Sequence, residues 1–196
     1  MAQWRFSGLT LIILTTMLID NSAGAKPLQL LPESTKTEFV GIGKPALLKV
    51  KGFTKEMSAV LDLTDGTASG EFKVPLKNLD SGIELRDDHM KNKYLAIGQF
   101  PDATLKIDAL KIDTLKTGSQ GEKLRNTIPF SGAFTLHGVT KQINGDAEIE
   151  NRSAHYTVTA KLNIKLSDYG IEIPRYSGIT FADNVDIKVQ FEAETK

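Results

Sequence analysis

The sequence predicts an all-β protein that is built on an antiparallel sheet and carries one inserted helix. Apolar and polar residues alternate with a period of two through most of the chain, which is typical of strands with one buried and one exposed face. One stretch, Ser81–Pro101, breaks this period. Parallel sheets that are covered on both faces have strands that are apolar throughout, so the alternation favours antiparallel pairing.

The predicted strands are short segments that recur along the chain, nine segments that correspond to about eight strands. We place them at Thr37–Ile42, Ala46–Phe53, Met57–Leu63, Gly70–Leu76, Ala103–Ile112, Phe130–Leu136, Val139–Ile143, Tyr156–Leu166 and Val185–Phe191. Thr64-Asp65-Gly66 and Asn144-Gly145 are predicted to form turns. An antiparallel sheet of this size closes into a barrel or packs as a sandwich, and the periodicity leaves both open.

The Ser81–Pro101 insert has the residue spacing of a helix. Leu85 and His89 stand four positions apart, as do Met90 and Tyr94, which places each pair on one helical face. Ser81 with Glu84 has the form of a capping box. We expect Gly98 and Pro101 to end the helix.

The first 25 residues have the features of a secretory leader. Arg5 is followed by the apolar run Leu9–Ile19, and Ala23-Gly24-Ala25 forms a small-residue cleavage site. The apolar run is shorter than the roughly 20 residues of a membrane-spanning helix. We therefore expect cleavage after Ala25, no stable membrane insertion, and a periplasmic or secreted protein whose residues 26–196 form one domain.

The composition argues against several kinds of partner. The chain has 24 Lys and Arg against 24 Asp and Glu, without basic blocks, which argues against nucleic acid and against an electrostatic membrane patch. It has no Cys, and none of its three His lies close to another along the chain. We therefore expect no metal site and no cofactor.

Four segments, in order along the chain, together resemble the motifs of the YceI-like family. They are Ser81–Leu105, Gly132–Lys141, Leu166–Ile171 and Val185–Phe191. The first contains R-D-D-H-M, similar to the family's R-D-x-H-L, and the second contains G-V-T-K, similar to its G-V-T-[RK]. The chain departs from the family at Phe39–Gly43, which lacks a histidine, at Leu166-Ser167, which lacks an arginine, and at Gln142, which replaces a proline.

The resemblance implies a lipocalin-like, extended antiparallel β-barrel of about eight strands with one short helix. Members of the family bind long amphiphilic chains, such as polyisoprenoids or fatty amides, in an apolar lumen. The resemblance therefore implies an exported binding or carrier protein for a polyisoprenoid, an isoprenoid quinone or a fatty amide. Because family members often pair, a homodimer is a further expectation, and we expect that the protein is not an enzyme.

Strand parity assigns thirteen apolar side chains to the inner face of such a barrel, as candidate ligand contacts. They are Phe72, Val74, Leu76, Leu105, Ile107, Phe130, Phe134, Leu136, Val158, Leu162, Ile164, Val189 and Phe191. The same residues could instead fill the barrel completely, since a small eight-stranded barrel is only just wide enough for its own side chains.

Four residues are candidates for the mouth of the barrel, where they could contact a polar head group: Arg86, Asp87, His89 and Tyr169. The competing interpretation is that Arg86 and Asp87 form local ion pairs and caps that hold the helix on the rim. His137 has a parity opposite to that of Phe134 and Leu136, and His155 precedes a strand, so both are expected on the surface. No catalytic motif accompanies either histidine.

Two other functions remain open from the sequence. A protein-interaction module, for instance a partner of a membrane redox protein, would need an exposed apolar patch or a free strand edge. An enzyme acting on a lipid would need a base and other polar groups inside the lumen. The lysines of the predicted strands have outward parity, which disfavours the enzyme.

Overall fold

The structure is a computed structural model that describes residues 26–44, 49–112, 125–152, 154–176 and 179–195. The predicted leader, residues 1–25, lies outside this part of the chain. The strands are β1 (Lys26–Lys44), β2 (Lys49–Thr54), β3 (Ser58–Thr64), β4 (Thr67–Pro75), β5 (Asp102–Lys111), β6 (Arg125–Leu136), β7 (Val139–Arg152), β8 (His155–Lys165), β9 (Arg175–Tyr176) and β10 (Ile179–Thr195).

Eight of these strands close into an antiparallel barrel in the order β1-β3-β4-β5-β6-β7-β8-β10, because β10 also pairs with β1. The closing pairs extend from Leu28–Thr195 to Lys44–Thr180. β2 lies beside the second half of β1, and β9 lies beside the start of β10. The predicted all-β barrel with one short helix is confirmed, and the sandwich alternative is wrong.

β1 is longer than predicted because it pairs with β3 along its first half and with β2 along its second half. Its start pairs with β3, and Thr37–Ile42 pairs with β2. Between these halves the strand is irregular, and the hydroxyl of Thr35 contacts the carbonyl oxygens of Pro32 and Lys55. The first half contains two prolines, which lack the N–H donor of a strand ladder, so it was not predicted as a strand.

Two hairpins turn at residues with positive φ, as tight two-residue turns require. The β3–β4 turn is at Asp65-Gly66, as predicted, and the β6–β7 turn is at His137-Gly138. The predicted turn at Asn144-Gly145 is wrong, because both residues lie inside β7. A Cβ at Gly145 would lie 2.6 Å from Cζ of Phe130, so this glycine makes room for a ring across the strand pair.

The helical insert leaves and re-enters the barrel at neighbouring points. Pro75 and Asp102 are cross-strand partners, and the Leu76 amide donates to the Pro101 carbonyl oxygen at 2.8 Å. Between them lie a short 3₁₀ turn, helix α1 (Glu84–Asp88) and a π-helical turn, His89–Tyr94. Helical structure therefore ends at Tyr94, before the predicted Gly98.

The predicted capping box is wrong. The residue that precedes α1 is Ile83, which has no side-chain cap. Ser81 donates instead to Asp87, from its backbone amide at 3.0 Å and from its hydroxyl. The carboxylate that holds the start of the insert therefore comes from within α1 rather than from Glu84.

Candidate functional site

The centre of the barrel is hollow. A cavity of about 700 Å³ is lined by the inner faces of the strands and by the insert. Its lining reaches from Leu28 to Gly41 on β1 and from Phe181 to Ala193 on β10, so the cavity follows most of the barrel's length. Inward side chains such as Phe72 and Val189 are only half-buried, because they border empty space. The completely filled barrel is therefore not what this sequence forms.

All thirteen side chains that strand parity assigns to the inner face line this cavity. Their placement follows from the antiparallel pairing, which puts alternate residues of each strand on the same face. The rings of Phe72 and Phe191 lie with centroids 5.3 Å apart, on strands from different parts of the barrel. Contact of these side chains with a ligand remains a prediction.

Glycines in the wall help to keep the centre empty. A Cβ at Gly41 would lie 2.6 Å from Cε1 of Phe181, and one at Gly52 would collide with the ring of Phe39. The two rings therefore lie over these glycines, against the wall rather than across the lumen. A glycine contributes no hydrophobic signal to a periodic pattern, so the packing of these rings over glycines cannot be predicted from the sequence.

The cavity meets solvent beside the insert. Ile83 and Leu85 line it while remaining 53% and 59% exposed. Around them the lining becomes polar, with contributions from the insert and from the segment before β10. These polar lining residues are Arg86, His89, Lys93 and Arg175.

Arg86 and His89, two of the four predicted mouth residues, line the cavity at this opening. Arg86 also holds the insert, since its Nε donates to the Ser81 hydroxyl at 2.8 Å and another guanidinium nitrogen donates to the Ser81 carbonyl oxygen. Asp87 is outside the lining and accepts from Ser81. The interpretation that Arg86 and Asp87 hold the helix in place therefore agrees with the geometry.

Tyr169 lies away from the mouth surface, in contrast to its predicted place. Its side chain is 1% exposed and packs edge-on against Phe134, with ring centroids 5.7 Å apart. Its hydroxyl has no hydrogen-bond partner in the part of the chain described here. Burial, assisted by the nearby charge of Asp168, raises the pKa of Tyr169 above its ordinary value.

The segment between β8 and β10, which contributes to the opening, is tied to the barrel by a carboxylate. The Ser167 amide donates to Asp183 at 2.8 Å, and the Ser167 hydroxyl donates to the other carboxylate oxygen at 2.6 Å. These hydrogen bonds, with the hydroxyl's contribution the larger, lower the pKa of Asp183.

The two remaining histidines lie outside the cavity. His137 is half-buried in its turn, with Nδ1 3.1 Å from the Tyr169 carbonyl oxygen and its ring against Phe100. His155 lies on the outer wall, where its ring nitrogens are 3.1 Å from a carboxylate oxygen of Glu194 and 3.5 Å from one of Glu192. Both positions are structural, although His137 is less exposed than a simple surface histidine.

Sequence reasoning missed several lining residues at the opening. Phe181 belongs to the start of β10, which was not predicted as strand, and Ile83 belongs to the insert, where strand parity does not apply. Lys93 and Arg175 also line the cavity and were not among the predicted mouth residues. Alternation could have found Phe39 and Leu61, which share the inner parity of their predicted strands.

The described ranges contain neither a membrane-spanning helix nor a group of metal ligands. No helix there has both the length and the apolar character needed to cross a membrane. In the same ranges, no three His, Cys, Asp or Glu side chains are grouped so that they could hold a metal ion.

The fold and its hollow centre define a class, the closed antiparallel β-barrels with an apolar lumen. The sequence profile of the YceI-like domain matches residues 29–193, and the chain belongs to this family. The resemblance seen in the sequence motifs is therefore confirmed. No protein among the curated sequences matches the chain.

Three solved structures share this fold at low sequence identity. Burkholderia cenocepacia BcnA is 20% identical, with a TM-score of 0.65, over 81% of this chain and 95% of that one. A polyisoprenoid binding domain from Saccharophagus degradans is 14% identical, with a TM-score of 0.68, over 87% and 99%. The Campylobacter jejuni YCEI protein is 23% identical, with a TM-score of 0.54, over 76% and 87%.

Proposed function

We propose that the protein is an exported binding or carrier protein that holds one long-chain amphiphilic lipid in the barrel lumen. The observation that carries this proposal is the apolar cavity of about 700 Å³ along the barrel. The polyisoprenoid binding domain from Saccharophagus degradans, which shares the fold, supports the assignment to an isoprenoid or fatty chain. Export and a single domain over residues 26–196 are part of the proposal and follow from the leader pattern.

The cavity's volume indicates how much chain it accommodates. If each methylene takes up about the 30 Å³ share of a water molecule in the liquid, about 23 carbons fit into the lumen. Each buried methylene contributes about 0.8 kcal/mol, so the gross gain is about 18 kcal/mol, an upper limit before the cost of ordering the chain.

The cavity's length indicates the same number of carbons. On β10, Ala193 lies twelve residues after Phe181, which is about 40 Å along the strand. Because the strands of a barrel are tilted to its axis, this corresponds to about 30 Å along the axis. An extended hydrocarbon chain advances about 1.25 Å per carbon, because its C–C bonds are about 1.5 Å long. About 23 carbons therefore extend for about 29 Å, which is close to the length of the cavity along the barrel axis.

Binding rather than catalysis fits the chemistry of the lining. Acid–base catalysis needs a positioned proton donor or acceptor close to the reacting atoms. Away from the opening, the polar side chains that have inward parity in the described lumen are hydroxyl groups, namely those of Thr37 and Tyr156. A hydroxyl without a base beside it is a weak nucleophile, so these residues suit a ligand that leaves chemically unchanged.

The test is the identity of what the protein carries. Purified gently from its native host, the full chain is expected to release a long-chain lipid on extraction, detected by mass spectrometry. Leu162→Asp, which puts a charge on the inner wall, is expected to abolish the lipid, whereas Lys161→Asp on the outer face is expected to retain it.

Circular dichroism checks that both variants fold, and Val189→Asp replaces Leu162→Asp if the latter does not. A stoichiometric protein partner and no lipid would instead favour an interaction module. Equal lipid content in a folded Leu162→Asp variant and the parent would contradict the proposal.

A further inference from the structure

We propose that the mouth of the barrel selects lipids whose head group is an anion, a carboxylate or a phosphate. This inference rests on the proposed lipid-binding function and narrows it. It concerns the polar end of the ligand, about which the apolar lumen says nothing.

The charges that line the cavity have one sign. Arg86, Lys93 and Arg175 are its permanently charged lining residues, and none of the lining residues that the structure describes is Asp or Glu. The whole chain has equal numbers of cationic and anionic side chains, 24 of each, so composition does not explain the asymmetry. The carboxylates of the insert, such as Glu84 and Asp88, are exposed and lie outside the lining.

These cations are available to a ligand. Lys93 and Arg175 are exposed and have no ion pair with any residue in the described part of the chain; Nζ of Lys93 lies 5.2 Å from the centroid of the Tyr94 ring. Arg86 is half-buried, and Ser81 uses only two of its guanidinium donors. The remaining N–H groups of Arg86 are left for an acceptor.

The position of the cations matches the end of an inserted chain. Ile83 and Leu85 continue the apolar wall to the solvent, and Arg86 follows them directly on the insert. A lipid whose tail fills the lumen therefore places its polar end beside the cationic lining residues of the opening. There an anion gains charge-assisted hydrogen bonds, whereas an ammonium group is repelled.

The experiment compares ligands with one tail and different heads, bound to the full chain: palmitate, hexadecyl phosphate, hexadecanol and hexadecylamine. Affinities are measured by displacement of a fluorescent fatty probe at low and at high salt. Palmitate and hexadecyl phosphate are expected to bind about tenfold more tightly than hexadecanol, and hexadecylamine most weakly, with the differences shrinking at high salt.

The double variant Lys93→Glu with Arg175→Glu is expected to lose the preference for palmitate and hexadecyl phosphate over hexadecanol. Lys161→Glu makes the same kind of charge change on the outer face and is expected to keep the preference. Both altered mouth residues are exposed, so folding is expected to survive, and circular dichroism verifies it.

Equal affinities for palmitate, hexadecanol and hexadecylamine would overturn the head-group inference while leaving the lipid-binding proposal in place. Failure of all four probes to bind would overturn the lipid-binding proposal itself. A preference of undiminished size in the folded double variant would show that Lys93 and Arg175 do not contribute to it, which overturns the assignment of head-group selection to the cations of the mouth.

Discussion

Ala160→Phe tests whether the lumen is the binding site, because it puts a ring into space that is empty in this structure. Ala160 lies in β8, lines the cavity, and pairs with Ala147 on one side and Val189 on the other. The ring would displace about five ligand methylenes, worth about 4 kcal/mol in total at about 0.8 kcal/mol each. We expect lipid affinity to fall close to a thousandfold.

The same substitution is expected to stabilise the ligand-free protein. The new ring leaves water and contacts wall residues that now border a void, which contributes about 1–2 kcal/mol after the loss of side-chain rotamers. In a filled core the added ring would overpack its neighbours and cost about 1–3 kcal/mol. The sign of the change in unfolding free energy therefore distinguishes a hollow barrel from a filled one.

Urea unfolding of lipid-free protein and probe-displacement titration measure the two effects separately. Lys161→Phe is the matched control, since it adds a ring to the outer face of the same strand and is expected to leave affinity unchanged. A destabilised Ala160→Phe variant, or one that binds lipid as tightly as the parent, would falsify the reasoning.

Three further substitutions probe the wall and its turns. Tyr169→Phe removes a buried hydroxyl that has no described partner, and we expect about 1 kcal/mol of added stability in urea unfolding. Burial raises the Tyr169 pKa above its ordinary 10.0, because it penalises the charged phenolate. The parent's stability is therefore not reduced by this ionisation below pH 10 and falls as the pH rises through the folded-state pKa. The variant should therefore lose less stability than the parent in alkali; an identical pH profile would contradict this. Gly145→Ala places a Cβ 2.5 Å from the Lys161 carbonyl oxygen and is expected to cost about 2 kcal/mol, whereas Gly98→Ala, with nothing within 4 Å, is expected to be neutral in the same assay. His137→Val is expected to lower the melting temperature because φ is 50° there, and His137→Gly should restore the turn but not the contact with Phe100; equal melting temperatures for both would refute the backbone argument.

The inner face of the barrel could be predicted because the residues that face the lumen are apolar and recur at every second position of a strand. A side chain such as Leu162 is apolar because its strand presents every second residue to the lumen. The hollow centre could not be predicted from this signal. It depends on where rings such as Phe39 and Phe181 lie, and those positions are decided by glycines on neighbouring strands.

Local motifs misled where tertiary contacts overrode them. Asn144-Gly145 has strong turn propensity, yet pairing along β7 keeps it extended because Gly145 accommodates Phe130. Ser81 with Glu84 has the spacing of a cap, but Asp87 provides the acceptor. The mouth was the least predictable region, since Lys93 comes from a helical insert and Arg175 from a short strand beside β10.

The insert that leaves the barrel at Pro75 and returns at Asp102 is a local excursion between two paired strands. Its two ends are hydrogen-bonded to each other. Asp80 is bridged to Phe53 of β2, and Leu79 and Leu95 are buried in the core. The exposed residues of the insert can therefore change without shifting the register of the surrounding strands. Residues at the opening can therefore change in evolution while the apolar walls of the barrel stay constant. A protein engineer could do the same by exchanging this one segment between barrels of the family.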